Sequence, residues 1–144
     1  MDRSSSDQFQ VRLTNNESEV LAAQKLRYKV FVEEFGAQVS QKNRTASVEK
    51  DKFDRYCDHL ILIDKWSKTC SANPRIVGTM RLMDSEAARR EVGFYSANEY
   101  NLDKLTSGNF HSLEIGRACV DKNYRGSFAI HLLWLGLAKY VLRR

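Results

Sequence analysis

Hydrophobic and polar positions divide the chain into elements of changing period. Phe9, Val11 and Leu13 alternate with polar residues and predict a first strand over 9–14. Thr14 and Glu17 stand in capping-box spacing and open a helix that runs to about Phe35, with Gly36 where a left-handed C-cap is wanted. On that helix Val20, Ala23, Val30, Phe31 and Phe35 share a face, with Leu21 and Leu26 at its edges. Arg27 falls in the middle of this apolar arc. It reads equally as a buried guanidinium with a carboxylate partner or as a side chain snorkelling at the rim. Residues 38–50 are polar without period and read as a mobile loop, and the run 49–54 carries three acids, Glu49, Asp51 and Asp54, that could partner Arg27 or form an ordinary solvated charge run.

Residues 59–64 form a continuous apolar run and predict a buried strand, with 65–75, including Asn73-Pro74, as the turn back. Its partner is 76–83, placing Val77, Thr79 and Arg81 on one face and Ile76, Gly78 and Met80 on the other. Residues 85–90 read as a helical turn or a loop. A short helix is expected over 95–105, capped by Ser96 with Glu99 in the capping-box position.

Residues 113–134 are the most informative stretch. An apolar and small run from Leu113 to Val120, charged only at Glu114 and Arg117, suits a strand, and the polar residues 121–126 end it. Ser127 is a good N-cap for the helix that follows. Such a loop, with Arg125 beside a helix N-terminus and Gly126 allowing close approach, is a phosphate-type anion site, although an ordinary turn has the same pattern. The final helix, 129–142, is apolar nearly all round, interrupted by His131, Gly136 and Lys139, and should be buried on every side. It is too short to span a bilayer. This suggests the front half of a longer domain, or a partner covering the second face.

Composition narrows the picture. Of 144 residues 42% are hydrophobic and 28% charged, as expected for one globular domain over 9–144 behind a disordered, Ser-rich lead-in over 1–8 with no signal-peptide core. Lys and Arg number 23 against 18 Asp and Glu, a net charge of +5 that suits an anionic ligand, an acidic partner or an anionic membrane surface. No basic run interleaved with aromatics speaks for nucleic acid. Cys57, Cys70 and Cys119 lack metal or disulfide spacing, so a reducing cytoplasm is the default and no metal is expected. His59, His111 and His131 are too scattered for a ligand set, His131 reading as a core residue. Cys119 is a poor nucleophile, because a buried apolar strand raises a thiol pKa.

Several segments in order carry a resemblance: Leu26-Arg27-Tyr28-Lys29-Val30-Phe31-Val32-Glu33-Glu34, Asp51-Lys52-Phe53-Asp54, Cys57-Asp58-His59-Leu60, Val77-Gly78-Thr79-Met80-Arg81-Leu82, Gly93-Phe94-Tyr95-Ser96-Ala97, and 114–134. Together they resemble the bacterial ornithine N-acyltransferases of ornithine-lipid synthesis, within the GNAT-type superfamily that includes the autoinducer synthases. The tryptophan expected after the first helix is absent, Phe35 lying in its region. The resemblance implies an α/β (α+β) GNAT-like acyltransferase fold, a mixed and mainly antiparallel sheet flanked by helices, without the C-terminal strands of the family. It implies acyl transfer from phosphopantetheine on acyl carrier protein, or on CoA, to the amine of ornithine. No permanently bound cofactor is implied, and contact with the inner membrane face is a further expectation. Other N-acyl amino acid or acyl-homoserine-lactone synthesis, and an inactive binding half-domain, are the alternatives.

By the same resemblance Arg27, Arg81, Asp51, Asp54 and Glu114 form an ionic cluster at the catalytic centre, and Arg117 stands at another of the family's characteristic catalytic positions. Glu114 reads there as base or amine-orienting group, or equally as a structural partner of Arg81 or Arg27. Cys119, Val120, Tyr124, Arg125, Gly126, Ser127 and Phe128 would line the pantetheine arm and its phosphate. Strict alternation sets Glu114 and Arg117 on opposite faces unless a bulge near Gly116 intervenes. Lys122, Arg125, Lys139, Arg143 and Arg144 form a basic face near the phosphate end that suits an acidic carrier protein.

Overall fold

A computed structural model describes residues 5–67, 74–126 and 128–144, so Cys70, Ser127 and most of the turn after the second strand lie outside the described residues. One helical turn, α1 (Ser5–Gln8), where disorder was expected, leads into β1 (Phe9–Leu13). Helix α2 (Glu17–Arg27) follows and continues without a break as a π-helical segment, Tyr28–Glu34. Its cap is Asn16, not Thr14: the Asn16 side chain accepts from the Glu19 amide, and Glu19 reaches back to the Asn15 amide at 2.8 Å. Gly36 takes the expected left-handed conformation at φ +73.

The π segment explains a misplaced face. Phe35 donates its amide to Val30 five residues back, so the helix is wider here and positions beyond Val30 rotate away from a 3.6-residue wheel. Ala23, Leu26 and Val30 are buried as expected, whereas Phe35 is exposed. The expected mobile loop also contains a helix, α3 (Gln41–Ala46), capped by the Ser40 hydroxyl and closed by Ser47 at φ +53.

β2 (Asp58–Asp64) and β3 (Ile76–Asp84) pair antiparallel, followed by α4 (Ser85–Arg90). The helix expected over 95–105 is two shorter pieces, a 3-10 turn at Tyr95–Asn98 and α5 (Asp103–Thr106). β4 (Leu113–Val120) and α6 (Ala129–Leu142) complete the order. The sheet is an antiparallel meander, β1-β2-β3-β4. α2 packs on one face, against Ile61, Ile63, Ile76 and Cys119, and α6 on the other, against Leu60, Leu62, Val77, Met80 and Leu82.

Two register shifts decide which side chains face which layer. Leu62 pairs with Gly78 and Ile63 with Ile76, so Val77 is the extra residue and faces α6 while Ile76 faces α2, the reverse of strict alternation. On β4, Thr79 pairs with Cys119 and Arg81 with Gly116, so β4 carries one extra residue where Arg117 stands at φ +51.

α6 is buried on one face only. Ala129, Leu133 and Leu137 lie on the sheet, while Trp134, Leu135 and Leu142 are exposed, as is His131. Gly136 sets the approach of this helix: a Cβ built there would lie 2.3 Å from Val11 Cγ1 and 3.4 Å from Leu60 Cδ2. Gly136→Val should therefore push α6 off β1 and β2 and cost about 1–3 kcal/mol, read as a lowered thermal midpoint. An unchanged midpoint would mean that the helix docks less tightly than described.

Candidate active site

Arg27, the last α-helical residue before the π segment, is fully buried, and its environment decides between the two readings of the sequence. Its Nε donates to Glu49 Oε2 at 2.6 Å, and its Nη1 and Nη2 donate to Asp54 Oδ1 and Oδ2 at 2.6 and 3.2 Å. A snorkelling side chain is thus replaced by a paired one. Arg81, from the α2 face of β3, reaches Asp51 at 2.7 Å and Asp54 at 3.4 Å. Arg117 reaches Glu49 at 2.9 Å and Asp51 at 3.2 Å. Three guanidiniums and three carboxylates alternate in one network, each charge next to its opposite.

Asp51 and Asp54 arrive through the tight turn after α3. The Asp54 carboxylate accepts the Asp51 amide at 2.8 Å, and Asp51 accepts the Phe53 amide at 2.9 Å. His59 donates through Nε2 to the Asp54 carbonyl at 3.0 Å, and burial holds its pKa below the usual histidine value. For Asp54, burial alone would raise the carboxyl pKa, but the Arg27 bonds outweigh it and the net shift is downward. Burial likewise opposes the Arg27 charge, and Asp54 and Glu49 more than restore it.

Glu114 does not enter this network. Its Oε1 accepts the Tyr95 amide at 2.8 Å, and its Oε2 accepts the Ser96 amide at 2.8 Å and the Ser96 hydroxyl at 2.5 Å. It caps the 3-10 turn at Tyr95 in place of pairing with Arg81 or Arg27. The Tyr95 ring so held lies 4.7 Å from the Arg117 guanidinium and 5.9 Å from that of Arg81, with Phe53 edge-on at 5.6 Å. The β4 bulge brings Glu114 and Arg117 to the same face, the exception that strict alternation allowed for. Glu49, which the sequence offered only as a possible partner for Arg27, belongs with the site set.

Two grooves meet at β4. The first, about 360 Å³, is lined by Val30, Phe31 and Phe35 of the π segment and by Cys119, Val120, Tyr124, Arg125 and Gly126. It thus gathers five of the seven residues expected along a pantetheine arm. Phe128 occupies the N-cap position of α6, makes no side-chain cap bond and is exposed. Ser127 lies outside the described residues, so the cap expected of it is not part of this description. Tyr124 donates to Asp64 at 2.6 Å, and burial with that bond raises its pKa to about 12. Burial also raises Cys119 to about 12, which disfavours a thiolate.

The second groove, about 500 Å³, is lined by Phe31, Glu49, Tyr95, Arg117 and Ala118, with Ala37–Val39 at its rim. Phe31 and Ala118 border both grooves, so the two lie side by side at the β4 bulge. The basic face expected near the loop is dispersed. Arg125 is paired with Glu34, and Arg144 lies with Asp58 and Asp84 at the far end of α6, about 20 Å of helix away. Among the described residues no group of three or more His, Cys, Asp or Glu could hold a metal ion, and no helix is long and apolar enough to cross a membrane.

A family model described as acetyltransferase (GNAT) domain matches residues 26–135. The L-ornithine N(alpha)-acyltransferase of Brucella abortus (strain 2308) is 41% identical over 137 residues, covering 94% of this chain and 48% of the relative. That of Rhizobium meliloti (strain 1021) is 40% identical over 137 residues, covering 94% and 46%. The chain thus spans about half the length of the curated relatives it matches. Among solved structures, the N-acyl amino acid synthase FeeM from uncultured soil microbes superposes with TM-score 0.65 at 14% identity, covering 94% of this chain and 65% of that one. The AHL synthase LasI gives TM-score 0.59 at 18% identity, covering 94% and 66%. These two likenesses establish the fold.

Acid should dissolve the network. Asp54 has a lowered folded pKa, so its contribution is fully present above the unfolded value near 4 and is lost as pH falls through the lower folded value. Wild-type stability should therefore drop steeply below about pH 4. Asp54→Asn, leaving Arg27 half-paired in the interior, should cost about 3–5 kcal/mol at neutral pH and flatten that acid limb. Denaturant titrations across pH test both, and parallel pH profiles for the two proteins would contradict them.

Proposed function

The chain belongs to the acetyltransferase (GNAT) domain family, and on that premise we propose that it transfers a 3-hydroxyacyl or related acyl chain from phosphopantetheine on acyl carrier protein to the α-amine of ornithine. The observation that carries this reading is the identity of about 40% over 94% of the chain to proteins named L-ornithine N(alpha)-acyltransferase. The two adjoining grooves support it. A pantetheine arm would enter past Tyr124–Gly126 and run beside Cys119 and Val120, bringing its thioester to Ala118. The amino acid would occupy the second groove, where Glu49 and Arg117 supply a carboxylate and a guanidinium for its ammonium and carboxylate.

The chemistry needs a neutral, oriented amine next to a polarised thioester. Glu49, at the wall of the second groove, takes the proton that frees the amine. The nitrogen attacks the thioester carbonyl carbon, the C–N bond forms, the C–S bond breaks, and the sulfur leaves as thiol with the proton the nitrogen sheds. Arg27, Arg81, Asp51 and Asp54 hold Glu49 and Arg117 in register. Glu114, its Oε2 filled by Ser96, keeps Tyr95 against Arg117 and is a positioning residue. Residues 9–144 are an N-terminal portion of that acyltransferase domain, the carrier protein is the macromolecular partner, and the setting is the cytoplasm beside the inner membrane, where a lipid precursor is consumed.

Thiol release from 3-hydroxyacyl–acyl carrier protein, with and without L-ornithine, tests this reading. Ornithine-dependent release is expected, and Glu49→Gln should lower kcat/KM by about 100-fold or more. Glu114→Gln, which still offers an oxygen to the Tyr95–Ser96 amides, should lose less than Glu49→Gln. The opposite order would return the base to Glu114. Absence of ornithine-dependent release from the folded chain would remove the proposal.

A further inference from the structure

Arg125 stands at the mouth of the first groove, where a donor phosphate is expected, yet it is already engaged. Its Nη1 and Nη2 donate to the two carboxylate oxygens of Glu34 at 2.8 and 3.0 Å, a bidentate pair. Its Nε donates to the Val120 carbonyl at 3.0 Å, and its guanidinium lies 5.6 Å from the Phe35 ring. The geometry around Arg125 is what a phosphate would be offered, with a carboxylate in that place. Glu34 closes the π segment, and exposed Glu33 precedes it. The other end of the segment is tied to the same loop, Lys29 Nζ meeting the buried Asp121 carboxylate at 2.8 Å. The backbone that carries Glu34 is therefore anchored to the loop that carries Arg125.

We infer that Glu34 selects the acyl donor: by occupying Arg125 it makes the groove accept a pantetheine held through a single phosphodiester, as on a carrier protein, and disfavour the diphosphate of coenzyme A. The inference rests on the acyl-transfer reading above and deepens it by assigning the choice between the two donors to one residue. Both donors present the same pantetheine arm, so the apolar wall of Val30, Phe31 and Val120 cannot tell them apart. They differ in charge at the mouth. A diphosphate brings additional negative charge against Glu34, and it must either displace that carboxylate from Arg125 or sit beside it. A like charge at contact distance, partly screened by water, weakens binding by about ten-fold or more. One phosphodiester meets less of this repulsion, and a carrier protein adds contacts of its own outside the groove.

The test uses the chain with Glu34→Gln, Arg125→Met and the double variant. Calorimetric titration with free coenzyme A gives binding without turnover, and kcat/KM for 3-hydroxyacyl–CoA over 3-hydroxyacyl–acyl carrier protein gives the preference. Glu34→Gln should tighten coenzyme A by about ten-fold and shift the kcat/KM ratio toward the CoA donor by a similar factor. Both gains should be clearly smaller when Arg125 is Met, since the released guanidinium takes up the phosphate and only the relief of repulsion remains without it. No gain with Glu34→Gln, or an equal gain in the Arg125→Met background, would overturn the inference. Because the titration requires no acyl transfer, a chain lacking ornithine-dependent activity would fail the preceding proposal and leave this one to be judged by coenzyme A binding alone.

Discussion

A fully buried guanidinium is the constraint on which the rest depends. Arg27 stands on the apolar face of α2, and leaving its charge unpaired in that interior would cost more than a domain of this size can spare. Two carboxylates must therefore come to it, and both come from the chain after α3. Bringing Glu49 and Asp54 inward brings Asp51 with them, and three carboxylates in one place require more positive charge than Arg27 has. Arg81 and Arg117 supply it from neighbouring strands. The cluster is thus a consequence of one residue's burial, propagated through charge balance across α2, the 49–54 turn, β3 and β4.

The irregularities of the backbone serve the same arrangement. A regular β4 would point Arg117 and Glu114 to opposite sides of the sheet. The extra residue lets both face α2, where Arg117 completes the network and Glu114 fixes the turn that carries Tyr95. A regular α2 would likewise carry Phe35 to the core, whereas the π segment turns it outward under Arg125 and carries Glu34 to the same side chain. Bulges and π segments cost ladder hydrogen bonds and are kept where they aim a side chain. Here both lie along the walls of the two adjoining grooves.

This explains what was legible in the sequence. The strands, the long first helix and the strand–loop–helix of 113–142 were readable because burial imposes period on them. The need of Arg27 for a carboxylate was readable because a lone Arg in an apolar element calls for a partner, whereas its grouping with Arg81, Asp51 and Asp54 came from the resemblance to a known family. Pairing of Glu114 with Arg81 or Arg27 was expected, but its bonds go to Tyr95 and Ser96 across a loop whose path no local pattern states. Glu49 was undervalued because, in sequence, it is one acid in a run where solvated charges are the rule. The faces of Val77, Ile76 and Phe35 failed for a shared reason, since each lies beyond a local change of period. α3 was missed because a short polar helix has no apolar stripe and is held instead by the Ser40 cap.

The loop after β4 shows how a fold can hold a recognition group at its surface already paired. Helix N-termini and arginine forks attract anions, and an unpaired Arg125 at the groove mouth would attract them indiscriminately. Tying it to Glu34 makes the local charge nearly neutral while keeping the fork oriented, because the carboxylate holds both Nη atoms in the plane that a phosphate would need. The cost to a ligand is then the exchange of one anion for another, and it grows with the ligand's charge. The Lys29–Asp121 pair on the same segment keeps this exchange local, since the backbone on both sides is fastened whether or not Glu34 lets go. The same π segment that lets Arg27 organise the interior thus sets, one turn later, the terms on which the outer loop can be entered.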